Sequence, residues 1–107
     1  MVGTLISHAR KRGVFKKDNG QQFSYDNVVL YVATSLPTYE NKNGCSLTGY
    51  PVTLIEVKIP VSKFAAMTNA AYSDDFLTDH YCETIQVFYD IAVYNGSQQA
   101  VLNRVEF

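Results

Sequence analysis

The chain has 107 residues, 47% hydrophobic and 18% charged, with nine basic and ten acidic side chains for a net charge of -1. That length suits a single domain spanning 1–107, whose core buries roughly 60–70% of the unfolded surface, and the apolar content excludes an intrinsically disordered chain. No apolar run approaches the roughly 18 residues of a bilayer span, and Arg10, Lys11 and Arg12 follow the short N-terminal apolar run, the wrong order for a secretory signal; a cytoplasmic protein is expected.

The first piece, Val2 to Phe15, alternates loosely and is interrupted by the basic run and Gly13, which predicts a long, bent strand with a bulge there. Asp18-Asn19-Gly20 reads as a hairpin turn, because Asn and Gly tolerate positive φ. A second strand follows from Phe23 to Ala33. Its alternation puts Val28, Leu30 and Val32 on one face, expected to be core, and Phe23, Tyr25, Asn27, Val29 and Tyr31 on the other, expected to be half-exposed.

After a polar loop, a third strand is predicted from Tyr50 to Ile59, ended by Pro60, which cannot donate to a ladder. An alanine-rich helix is predicted over Ser62 to Tyr72, with Phe64, Met67 and Ala71 on one side, Ser62 as its cap and Ser73-Asp74-Asp75 as its end. The last two strands, Glu83 to Tyr94 and Ala100 to Phe107, flank Asn95-Gly96-Ser97 as a hairpin, with Ile85, Val87, Tyr89, Ile91 and Val93 on one face. Three strands, a helix and two strands predict an all-β domain with one helix between strands three and four: a five-stranded OB-like barrel, an architecture whose strand face binds oligonucleotides.

No catalytic constellation stands out. Ser7 beside His8, and His80 near Cys82, are the available nucleophile and base pairs, and neither has a family signature. The chain is not expected to be an enzyme. Cys45 and Cys82 are too few for a disulfide scaffold and read as free thiols; with His8 and His80 they do not make a zinc set, and Asp74, Asp75 and Asp79 match no cation loop. The six glycines are too scattered to cradle a phosphate, so no metal or cofactor is expected.

What remains is a basic stretch interleaved with aromatics. Residues 1–58 carry seven basic against four acidic side chains, a net of +3, while 59–107 carry two against six, a net of -4. Arg10, Lys11, Arg12, Phe15, Lys16, Lys17, Phe23, Tyr25, Tyr31 and Lys42 are the candidate nucleic-acid contacts. Cations follow the phosphates of a single strand and rings stack on its bases, at roughly 1 to 3 kcal/mol per base with little sequence preference. The groove is expected between the first hairpin and the loop carrying Tyr39 and Lys42.

The segment from Arg12 through Lys16-Lys17-Asp18-Asn19-Gly20 to Val32, with the later Gly49-Tyr-Pro-Val-Thr-Leu-Ile-Glu-Val and the Phe64 helix, resembles the small single-stranded DNA-binding proteins of filamentous bacteriophages, especially those of Vibrio. The resemblance implies an OB-like homodimer that coats replicating phage DNA in the host cytoplasm. By position it implies DNA contacts at Arg10, Arg12, Lys16, Lys17, Phe23 and Tyr25. The acidic C-terminal half departs from a uniformly basic groove. Single-stranded DNA, or RNA, is thus the expected partner. The alternative is a phage-encoded interaction module or inhibitor that docks a protein on the face of Phe23, Tyr25 and Tyr31.

Overall fold

A computed structural model describes residues 1–35 and 52–107. They form strands β1 (Val2–Lys16), β2 (Gln22–Ser35), β3 (Val52–Pro60), β4 (Thr84–Tyr94) and β5 (Ser97–Glu106), with a 3₁₀ turn Val61–Lys63 and two short helices, α1 (Phe64–Thr68) and α2 (Asp74–Asp79), between β3 and β4. The domain is β-rich with its helical segment where the sequence puts it. The strands make one antiparallel sheet in the order β3-β2-β1-β4-β5.

The expected barrel is not closed. Closure needs the edges β3 and β5 to pair, and in this order they remain edges. The sheet is instead covered on one face by its helices, which bury Phe64, Thr68 and Leu77 against Leu5, Val28, Leu30, Val32, Val57, Ile59, Ile85, Val87 and Val105. Truncating a buried ring such as Phe64 to Ala costs about 3–5 kcal/mol, a large share of the 5–15 kcal/mol that holds a typical domain together. Thr68 is buried at no polar cost, since its hydroxyl donates to the Phe64 carbonyl at 2.8 Å.

The helical segment departs from the single helix predicted. Pro60 enters the 3₁₀ turn directly and Ser62 caps nothing. Asn69 takes φ 58°, a left-handed residue that stops α1 after five residues. Ser73 then starts a second helix, its hydroxyl accepting from the Phe76 N–H at 3.0 Å, so Asp74 and Asp75 occupy a first turn instead of a closing acidic loop.

Both hairpin turns fall as predicted. At the first, the Gly20 N–H donates to the Lys17 carbonyl at 2.9 Å and the Lys17 N–H to Gln21 at 2.8 Å. At the second, Asn95 and Gly96 have φ 49° and 80° between paired Tyr94 and Ser97, the two positive values of a type I′ turn. β1 meets β4 only over Val2–Thr4, whereas β1 pairs with β2 from Thr4 to Lys16. Two hairpin arms therefore diverge from the core, and the molecule measures 53 × 37 × 24 Å. No helix among the described residues is long and apolar enough to cross a membrane.

The bulge predicted at Gly13 lies at Ile6. Leu5 pairs with Val32 and Ser7 with Tyr31, leaving Ile6 as the extra residue. That shift resets the alternation of β1. Leu5 faces the core before it; after it the even-numbered residues do, His8 opposite Leu30 and Arg10 opposite Val28.

Candidate nucleic-acid interface

Cross-strand partners share a face, so the register of the first arm sorts the candidate residues. Ser7, Ala9, Lys11, Gly13 and Phe15 stand opposite Tyr31, Val29, Asn27, Tyr25 and Phe23 on the outer face, away from the helices. Arg10, Arg12 and Lys16 stand opposite Val28, Asp26 and Gln22 on the core side. The basic run is split between two surfaces.

On the outer face three rings make a cluster. Phe15 and Phe23 stack with centroids 5.5 Å apart and planes at 22°, and Phe15 meets Tyr25 at 6.4 Å. They stay open to solvent, at 48%, 37% and 43% exposure. Lys17 holds its ammonium 4.6 Å above the Phe23 ring, which keeps a cation beside the aromatic surface. Gly13 allows Tyr25 to lie across β1, because a Cβ at that position would come within 2.6 Å of Cζ and 2.8 Å of Cε1 of the ring. The same face narrows farther along: Val29 is buried and Tyr31 half-buried, so Tyr31 belongs to the outer face but offers less of its ring.

β3 adds residues that the sequence left out of the site. Its pairing with β2 sets Pro60 opposite Asn27 and Lys58 opposite Val29, and Lys58 joins Lys11, Phe15, Tyr25 and Asn27 around a cavity of about 290 Å³. The signal was present in the alternation: Val57 and Ile59 point inward, which sends Lys58 to the face carrying Tyr25. Glu56, opposite Tyr31, is the acid of the same strand face. Among the described residues Lys11, Lys17 and Lys58 form no ion pair.

The core-side cations are occupied differently. Arg10 donates from Nε and Nη2 to both Asp26 oxygens, at 3.0 and 2.7 Å, and its guanidinium lies 5.1 Å from the centre of the Tyr72 ring. The Arg10 hydrogen bond holds the Asp26 carboxyl below the usual carboxylate range. Tyr72 donates to Asp74 at 2.7 Å, and Asp74 also bonds His8 Nε2 at 2.9 Å; the Tyr72 bond first and His8 second lower the Asp74 pKa. Burial, then the Asp74 bond, raises that of Tyr72. Arg10 thus joins the arm to the segment that precedes α2, and His8 joins it to α2 itself through Asp74. Arg12 and Lys16 lie exposed on this side, Arg12 close enough to Asp26 to contribute to lowering it. The acids of α2 also lie here, so the outer face is separated from them by the sheet.

His8 bonds Tyr81 through Nδ1 and Asp74 through Nε2, while Ser7, the preceding residue in the strand, faces the other way. His80 Nδ1 is 2.8 Å from Glu83. Neither pair of the sequence reading comes together as nucleophile and base. Cys82 is a free, exposed thiol. Lys42, Tyr39 and Cys45, with the groove expected beside them, fall outside the described residues.

Comparison with known protein families, curated proteins and solved structures gave no match.

Proposed function

We propose that the outer face of the β1–β2 arm binds single-stranded nucleic acid, with Phe15, Phe23 and Tyr25 as the stacking surface and Lys11, Lys17 and Lys58 as phosphate contacts. The observation that carries this reading is the juxtaposition of three solvent-open rings, packed around Phe15, with Lys11 and Lys58 on the same strand face and the Lys17 ammonium over the Phe23 ring. A π-face accepts any base and an ammonium any phosphate, so the chemistry is tolerant of sequence. In this reading the chain coats single-stranded DNA, as the phage proteins it resembles do. Fluorescence titration with oligo(dT) across salt tests it: affinity should fall as salt rises, and an absence of binding at low salt, or binding indifferent to salt, refutes it.

A homodimer belongs to the same proposal. Tyr89, Ile91 and Val93 make an apolar stripe on the second arm, Ile91 being 73% exposed, and no residue from 91 to 103 carries a charge. Two copies meeting there would bury apolar surface and leave no unpaired ion. Sedimentation should give twice the chain mass, and Ile91→Asp should return it to the monomer.

A further inference from the structure

We propose that the cavity between Lys11 and Lys58 is a nucleotide subsite with base selectivity, in which Asn27 reads the edge of a base stacked on Tyr25. The inference rests on the nucleic-acid reading above and goes beyond it, since stacking and phosphate contacts alone do not distinguish bases.

The cavity is small, about 290 Å³, at the lower end of the roughly 300 to 1,000 Å³ of ligand pockets, a size for one nucleotide. Each wall has a different chemistry. The Tyr25 ring is pressed over Gly13 on one side and open on the other, so one π-face is available to a base. Phe15 bounds it at 6.4 Å. Lys11 lies opposite Asn27 on β1, and Lys58 lies diagonally on β3, which brings an ammonium to each side of Asn27. The β3 residue opposite Asn27 is Pro60, so on that side its neighbour is a compact ring instead of a long side chain.

Asn27 is the lining group able to discriminate. Lysines only donate, and the phenol rotates to donate or accept. A carboxamide fixes a donor beside an acceptor and matches one base edge at a time. Asn27 is half-buried, and among the described residues its side chain makes no hydrogen bond. Two residues along the strand, roughly 6.6 Å, separate it from Tyr25 on the same face, a spacing that sets the carboxamide at the rim of a ring-stacked base.

The experiment titrates the full chain and its Asn27→Ala and Asn27→Asp variants with oligo(dA), oligo(dC) and oligo(dT) of one length at one salt concentration. Asn27→Ala should weaken binding to one homopolymer by roughly fivefold and change the others by less than about twofold. Asn27→Asp, which loses the donor, should reorder the preference. Equal loss on all three homopolymers, or no loss on any, overturns the subsite while leaving the nucleic-acid reading standing. Failure of the unaltered chain to bind any of the three overturns both.

Discussion

Replacing Lys58 by Gln is the sharpest test of which face meets the strand, because the residue comes from β3 and takes no part in the basic run. For single strands each phosphate neutralised contributes about -0.7 to the slope of log affinity against log salt. Three outer ammonium groups, Lys11, Lys17 and Lys58, then give a slope of about -2.1, or an affinity loss of about 18-fold between roughly 50 and 200 mM salt. Lys58→Gln should reduce the slope to about -1.4 and the loss to about sevenfold. The control is Lys16→Gln: Lys16 is opposite Gln22 on the core side, and its neutralisation should leave the slope unchanged. Fluorescence anisotropy of a labelled oligo(dT) over a salt series measures both. A slope that responds to Lys16 and not to Lys58 would refute the outer face as the binding surface.

Two further outcomes follow from the same geometry. Gly13→Ala places a Cβ against the Tyr25 ring, which can swing toward solvent; the urea midpoint should move little while affinity for oligo(dT) falls at least about fivefold, the lower end of one lost stack. Asp26 and Asp74 both have depressed pKa values, through Arg10 and through Tyr72 with His8 respectively. A depressed carboxylate contributes stability that is present above its unfolded pKa, near about 3.9, and is lost as pH falls through the folded value. Urea midpoints should therefore be steady down to about pH 5 and decline below about pH 4, with a shallower decline in Asp26→Asn and Asp74→Asn; an unchanged acid limb in both variants would contradict the assignment.

Much of the fold was legible because its signals are local. The alternation of β2 identified Val28, Leu30 and Val32 as core, and all three are fully buried. Asn95-Gly96 announced its turn, since few other pairs accept two positive φ values in succession. Pro60 marked the end of β3. The helix was less legible: Ser73-Asp74-Asp75 reads as the end of one helix, whereas the Ser73 hydrogen bond to Phe76 makes it the cap and first turn of a second.

The sequence by itself determined that this is a β-rich domain with an aromatic strand, a basic first hairpin and an acidic C-terminal half, because period-two alternation, turn chemistry and charge are all read within a few residues. Only the tertiary structure decided which charges stand beside the rings. One extra residue at Ile6 reverses the facing of everything after it in β1, turning Lys11 and Phe15 outward with Tyr25 and sending Arg10, Arg12 and Lys16 to the side of the helices. Pairing across β2 then brought in Lys58 from a distant strand. A bulge and a register are properties of two strands together, and a single stretch of sequence carries only half of each.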